Sequence, residues 1–397
     1  MNDARARPRT RPQRGRALTR LGQLSVREFL ARYWQRRPLL IRQALPGFAP
    51  PITPDALFEL AASDAVESRL IERTGAQWQV RHGPFQRRAI PPLKRPNWTL
   101  LVQGVDQHLA QAAGLVASFR FVPDARLDDL MVSYASDGGG VGPHQDGYDV
   151  FLLQALGSRR WRIERHADPS CVPDLPIRQL ARFAPEADWV LEPGDLLYLP
   201  PGVAHDGVAL GACMTCSIGF RTPSWSDLAM IWSELQAERS PPRRALFRDA
   251  GLTPSAHPAR LPDRMIDDAR AQLLHWRPSR REVALALLRQ LSEPKPRVTF
   301  ERPARPLAPP RFASSIRLHG LQADRRTRML YSSRTLAING ALLPLPDRAH
   351  HALMRSFADR RELVVPPGRH PLPAAIIRHL YEWYLAGWVH PPCAGYA

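Results

Sequence analysis

The residues of this chain that could do chemistry are concentrated between Met131 and Ile163, in MVSYASDGGGVGPHQDGYDVFLLQALGSRRWRI. His144 and Asp146 stand two positions apart there, followed by apolar residues of strand type. Alternate side chains of an extended strand share a face, so this imidazole and carboxylate point the same way, roughly 7 Å apart along the backbone. Two donors on one face need a third from elsewhere. His205, in GDLLYLPPGVAHDG, is the candidate. Pro193-Gly194-Asp195 reads as a turn, Leu196 to Leu199 as a short apolar strand, and Pro200-Pro201-Gly202 as a second turn that aims the next residues back inward. Two imidazoles and one carboxylate form the facial triad of a non-haem Fe(II) centre, which leaves three coordination positions open for a co-substrate and dioxygen. His and Asp are also ordinary turn residues. The Gly138-Gly139-Gly140 lead-in and the Pro-Gly-Asp turn ahead of His205 favour the metal reading.

Strand parity selects further residues. In Asp129-Leu130-Met131-Val132-Ser133-Tyr134 the face shared by odd positions carries Asp129, Met131 and Ser133. After the turn at Gly157-Ser158, Arg159, Trp161 and Ile163 fall on one side of a strand, with Arg160 and Arg162 on the other. Trp161 and Ile163 belong inside, so Arg159 is carried inward with them. A buried guanidinium needs an anion. A carboxylate suits its bidentate fork, whereas the bland reading is one surface arginine in a run of basic residues.

The runs DDLMVSYASDGGGVGPHQDGYDVFLLQALGSRRWRI and EPGDLLYLPPGVAHDGVAL resemble the bacterial JmjC-type cupin oxygenases. Within these, they closely resemble the hydroxylases that act on an arginine of large-subunit ribosomal protein L-sixteen. YWQRRPLLIRQAL near the N-terminus and the order of segments after the cupin extend the resemblance over nearly the whole chain. It implies Fe(II), 2-oxoglutarate and dioxygen as cofactor and co-substrates, with His144, Asp146 and His205 as metal ligands. It also implies Arg159 as the 2-oxoglutarate anchor, Ser133 beside it as a hydroxyl donor, and Thr215 on the strand after His205. The chain departs from the pattern at Thr215, where such relatives carry an amide. Asp129 takes the substrate guanidinium by the same resemblance, with Met131 and Tyr148 along the arginine stem. Asp129 could instead cap a turn, and Met131 or Tyr148 could simply fill the core. Asp149 reads as a structural partner for an arginine. Two rival functions stay open: the same chemistry on a histidine of another ribosomal protein, and a non-catalytic cupin used as a DNA-binding regulator.

The elements that must position these residues fit a chain of 397 residues with 44% hydrophobic content, long enough for two or three cored domains. The expected fold is α+β: a double-stranded β-helix, or jelly roll, of JmjC cupin type, then an α-helical dimerisation segment and a winged-helix-like domain. Residues 1–20 hold seven arginines and one acid and read as a disordered basic arm, a solubilising tail or a weak contact for ribosomal RNA. Residues 21–222 form the catalytic domain with its flanking helices, and the barrel runs from about Leu70 to Arg221. Ser25-Val26-Arg27-Glu28 is a capping box, a second helix starts at Thr53-Pro54, and a third is expected after Pro96 with Leu100, Leu101, Val105 and Leu109 as its buried stripe.

Residues 223–300 read as helical, with Leu228, Ile231, Trp232 and Leu235 on one stripe, Met265, Ile266, Ala269, Leu273 and Leu274 continuing it, and Ser279 to Glu282 capping a further helix. Three such helices make too small a core alone, so a homodimer is expected. A proline-rich linker over 301–310 leads to a module over 311–397: a hairpin from Thr327 to Ile338, helices over Asp347 to Phe357 and Leu372 to Leu385, and a last short strand at Ala386 to Val389. The last helix is aromatic and poor in cations, which fits docking better than phosphate contact.

Net charge is +18, and Lys94 and Lys295 are the only lysines among 55 basic residues. Such charge points to phosphate-rich surroundings such as the ribosome, although the arginine skew is also what codon bias produces. Four cysteines, Cys171, Cys213, Cys216 and Cys393, are too few for a disulfide framework, which fits the cytoplasm. The Cys213-x-x-Cys216 spacing reads as small residues of a buried strand. No run approaches the ~18 apolar residues of a membrane span, and the N-terminus lacks an apolar signal core.

Overall fold

A computed structural model describes residues 17–45, 47–239, 265–267, 269–271, 277–345, 347–365 and 372–392. Most of the expected basic arm, Cys393, and Leu273 and Leu274 of the expected middle helix lie outside the described residues.

The N-terminal segment folds as a short hairpin, β1 (Arg20–Leu21) and β2 (Leu24–Ser25), followed by α1 (Val26–Arg32), β3 (Leu39–Ile41) and α2 (Pro54–Leu60). The Ser25 side chain accepts the Glu28 amide at 3.2 Å, whereas the Glu28 carboxylate turns to Arg32 at 2.6 Å, so only half of the capping box is made. Thr53 caps α2 at the Ala56 amide, with Pro54 in the first turn, where a missing N–H costs nothing.

One antiparallel sheet then dominates. Its strands are β4 (Ser68–Thr74), β5 (Gln77–His82), β6 (Trp98–Val102), β7 (Leu127–Ala135), β8 (His144–Gln145), β9 (Val150–Glu164), β10 (Ala187–Leu191), β11 (Leu196–Leu199) and β12 (Ala204–Phe220). Together with β3 they run in the order β3-β11-β9-β12-β7-β6-β4-β5, with β10 added to β9 and β8 to β12. The two longest strands bend. β9 pairs with β11 through residues 150–153 and with β10 through 159–163, while β12 follows it along both halves with a register shift between Leu210 and Met214. Shared by both walls, β9 and β12 close the jelly roll. Gly157 sits at the bend with φ +59°, and a Cβ there would lie 2.2 Å from the Ala212 carbonyl oxygen, so only glycine fits.

The expected helix after Pro96 is instead strand β6, all five residues buried and paired to β4 and β7. An uninterrupted apolar run fits a buried strand as well as a helix, and periodicity alone cannot separate them. Helix begins only after Gly104, as α3 (Val105–His108) and α4 (Ala110–Ser118). The N-terminal helices and α4 pack Phe29, Phe58 and Phe119 against Trp98, Phe151, Tyr198 and Phe220 of the sheet. Inside the roll, Val150, Leu152, Trp161, Ile163, Leu197 and Leu199 form a second cluster.

After the barrel, α5 (Trp225–Arg239) packs on α6 (Arg280–Ser292), which carries a complete capping box between Ser279 and Glu282. The last module holds α7 (Pro309–His319), β13 (Leu321–Ala323), β14 (Met329–Tyr331), β15 (Thr335–Ile338), β16 (Ala341–Pro344), α8 (Arg348–Arg360), β17 (Glu362–Leu363), α9 (Ala374–Leu385) and β18 (Val389–His390). The expected hairpin is a three-stranded sheet, β14-β15-β16. The linker ends two residues early because Pro309 and Pro310 form the first turn of α7.

Candidate active site

β8 and the start of β12 lie side by side with His144 directly opposite His205, their ring centroids 4.2 Å apart. Asp146 follows β8, its Oδ2 3.7 Å from the His205 Nε2. One ligand atom from each of His144, Asp146 and His205 lies within 4.8 Å of the others, which is the spacing one ion needs. Both rings are oriented by their other nitrogen: His144 Nδ1 bonds the Gly142 carbonyl at 2.9 Å and His205 Nδ1 the Val203 carbonyl at 3.0 Å. A carbonyl only accepts, so each Nδ1 carries the proton and each Nε2 is left with its lone pair. Burial first, then His144, lowers the His205 pKa to about 4, so it is neutral at neutral pH and competent as a ligand.

The glycines ahead of His144 work by close approach rather than chemistry. A Cβ at Gly140 would lie 2.6 Å from the Gly207 carbonyl oxygen of β12. The loop after Asp146 is tied down by Asp149, fully buried, which accepts from Arg126 at 3.0 Å, Tyr198 at 2.6 Å and Gln35 at 3.0 Å. It is the structural arginine partner expected of it.

The structure carries Arg159 into the same barrel, its guanidinium 5.6 Å from the Trp161 ring, which itself lies 5.8 Å from the His205 ring. Arg159, Trp161 and Ile163 are buried, while Arg160 and Arg162 point outward to Asp188 at 2.8 Å and Asp206 at 2.5 Å. The Arg159 Nη1 approaches Ser133 Oγ at 3.4 Å, and its Nε and Nη2 are buried with no partner. A buried cation with two open N–H groups is incomplete without an anion, and a carboxylate fits that fork. Ser133 faces Thr215 across the β7–β12 ladder. Thr215 Oγ1 donates to the Gln154 Oε1 at 3.0 Å, so its one hydrogen is already used. Gln154 was not singled out in the sequence; it supplies an amide across the ladder from Thr215, and its own NH2 donates to the Leu156 and Gly157 carbonyls at the bend. A lone polar residue in the apolar run FLLQAL was the available signal.

Asp129, Met131 and Ser133 do share a face of β7, since Leu130, Val132 and Tyr134 are in the opposite core. Asp129 is 5% exposed. Its Oδ2 accepts the Gly104 amide at 3.0 Å and is paired with Lys295 at 3.2 Å. Burial and neighbouring Asp128 push its pKa up against the pull of Lys295. Tyr148 is 43% exposed and hydrogen-bonds Asp146; burial and then that carboxylate raise its pKa. A cleft of about 410 Å³ opens beside it, lined by Gly147, Tyr148, Phe220, Arg221, Asp128 and Lys295. Sequence reasoning missed Lys295, which comes from the segment after α6. Cys213 and Cys216 are buried in β12 on opposite faces, three apart, and burial pushes the Cys216 thiol up to about 12; they form no metal pair.

A family model described as the JmjC domain matches residues 114–228, which spans the barrel from α4 through β12. The ribosomal protein uL16 3-hydroxylase of Escherichia coli is 40% identical over 248 residues, 62% of this chain and 66% of that relative. A probable ribosomal oxygenase of Haemophilus influenzae is 39% identical over 204 residues, half of each chain. The alignments thus span about two thirds and one half of those curated relatives. Among solved structures, the Escherichia coli ribosomal oxygenase YcfD superposes with a TM-score of 0.81 at 32% identity, over 94% of this chain and all of the other. This chain belongs to the JmjC-type ribosomal oxygenase family. Another structure of YcfD, in complex with cobalt and 2-oxoglutarate, matches with a TM-score of 0.79 at 30% identity. For this ribosomal oxygenase the ligand set and the open Arg159 fork fit that pair of groups on their own chemistry.

Proposed function

We propose that this chain is an Fe(II)- and 2-oxoglutarate-dependent dioxygenase that hydroxylates the β-carbon of an arginine in ribosomal protein uL16. The observation that carries the reading is the His144, Asp146 and His205 cluster, within 4.8 Å, in one barrel with a buried guanidinium that lacks an anion. When bound, the metal with 2-oxoglutarate and dioxygen supplies the oxidising power, at the expense of 2-oxoglutarate, which leaves as succinate and carbon dioxide.

The protein's share is placement. Arg159, with Ser133 beside it, fixes the distal carboxylate of the co-substrate, and Thr215, paired with Ser133 across the ladder, lines the same wall. Asp129 takes the substrate guanidinium, while Met131 and the exposed ring of Tyr148 flank its aliphatic stem. Holding one C–H bond over the metal in this way turns a bimolecular encounter into an oriented one. A neutral imidazole has less need of a carboxylate than a guanidinium has, so Asp129 favours arginine over histidine as the target.

The helical segment supports a homodimer: Leu228, Ile231, Trp232 and Leu235 face inward on α5, yet Trp225 and Met230 are 85% and 58% exposed. We read the last module as winged-helix-like and as a docking unit: α7, α8 and α9 stand with the small sheet β17-β13-β18, and the sheet β14-β15-β16 is inserted between β13 and α8. A ribosomal substrate fits a cytoplasmic site of action, and the basic composition of residues 1–20 suits a weak contact with ribosomal RNA; no helix among the described residues is long and apolar enough to cross a membrane. Mass spectrometry of ribosomal proteins from cells with and without the gene product tests the reading. A one-oxygen mass increase on one uL16 arginine, present only with the gene, is the expected result; its presence in both strains refutes it.

A further inference from the structure

Three carboxylates converge behind the face that carries Asp129. Asp106 on α3 accepts the Leu130 amide at 2.8 Å, Asp128 pairs with Arg221 at 3.0 Å and Lys295 at 2.9 Å, and Asp129 pairs with Lys295 at 3.2 Å. Lys295 is held between Pro294 and Pro296, at the wall shared by the Tyr148 cleft and a larger cavity of about 680 Å³ under the last module. The contacts on Asp129 are one-sided. Gly104 N–H and Lys295 both take Oδ2, whereas Oδ1 has no hydrogen-bond partner among the described residues and lies on the side of Gly219, where a Cβ would still be 3.9 Å from it.

We propose that Lys295 is a positioning residue of the substrate site, which with the Gly104 N–H pins Asp129 through Oδ2 in its ionised form and leaves Oδ1 to take the substrate's cationic side chain. This rests on the reading of the substrate as an arginine. Lysine suits the task because its ammonium is a point charge that can span two carboxylates, where a planar guanidinium would engage one of them bidentately. Asp129 needs such help. Burial, Asp128 on its own strand and Asp106 on α3 all oppose its charge, Arg221 is already engaged by Asp128, and the phenol of Tyr148 brings no positive charge. Arg328 lies beside Asp128 and Asp106, which leaves Lys295 as the cation that reaches Asp129.

The test uses the full-length enzyme and purified uL16. Hydroxylation by the wild type must be seen first, and its absence would sink the arginine reading rather than this inference. For Lys295→Met, loss of one charge-assisted contact predicts a KM for uL16 raised by ~10-fold or more at neutral pH, with the effect falling on KM rather than kcat. That KM should fall again towards the wild-type value as pH is raised, because Asp129 without its ammonium ionises only at higher pH. Lys295→Arg should restore only part of the affinity, because the charge is kept while the fork engages one carboxylate rather than spanning two. Lys295→Gln, which keeps a donor without charge, replaces the methionine variant if the latter fails to fold. A KM left unchanged or lowered, a loss confined to kcat, or a raised KM independent of pH overturns the proposal.

Discussion

The imidazoles of His144 and His205 each give Nδ1–H to a backbone carbonyl two residues earlier, so the same two-residue turn sets both tautomers before any metal arrives. Removal of the metal with a chelator should therefore abolish 2-oxoglutarate turnover without unfolding the barrel, and Fe(II) should restore it; circular dichroism beside a succinate assay reads both. Arg159→Gln removes the charge but not the polarity. Loss of one or two charge-assisted hydrogen bonds of ~1.5–3 kcal/mol each predicts a KM for 2-oxoglutarate raised by at least ~10-fold, with that for uL16 affected less. Asp106 makes a different kind of prediction. Burial first, then Asp129, raises its pKa from 3.8 to about 7. A carboxyl raised in the folded state favours folding below its unfolded value and loses that contribution as pH rises through the folded one. Asp106→Asn mimics the protonated form and can still accept from Leu130. Its stability relative to wild type should grow from near parity at about pH 4 to a full gain just above about pH 7, measured by urea unfolding at several pH values. A gap that is constant with pH would refute the assignment.

The long strands β9 and β12 carry the geometry because each serves both walls of the roll, and their shared bend is where Gln154, Gly157 and Ala212 meet. Gly157→Ala places a Cβ 2.2 Å from a carbonyl oxygen at a left-handed φ, so it should cost well beyond the ~1–2 kcal/mol of the dihedral alone. A thermal melt checks this, and 2-oxoglutarate affinity should drop with it, because Arg159 sits two residues on. This bend also marks where the sequence stops being legible. Parity placed Asp129, Met131, Ser133 and Arg159 correctly, since period two is a local property of any strand. It also read Arg160 and Arg162 as outward. The same local logic failed at Trp98 to Val102, where a run apolar on both faces has no period to read. Gln154 left one local sign, a polar residue alone in FLLQAL, but its partner Thr215 comes through a ladder pairing; Lys295 reaches the site through packing of a distant segment, and that contact leaves no local pattern.

At the scale of the whole molecule, hydrophobic clusters fill the barrel and the last module, and α5 between them belongs to neither. Leu235 is buried against α6, but Trp225 and Met230 stay exposed on the same helix. An indole left 85% exposed forgoes apolar burial at roughly 25 cal/mol per Å², a loss that a two-fold partner presenting the same patch removes on both sides at once. Light scattering at micromolar concentration should therefore return close to twice the 44.7 kDa chain mass. Trp225→Glu combined with Met230→Glu should return the single mass, with the barrel's melting transition retained because neither side chain belongs to its core. If Asp129, Lys295 and the metal ligands come from one chain, as they do here, that monomer should still turn over 2-oxoglutarate with uL16. A monomeric wild type would remove the dimer; an inactive monomeric variant with an intact barrel would mean that the second copy contributes to catalysis.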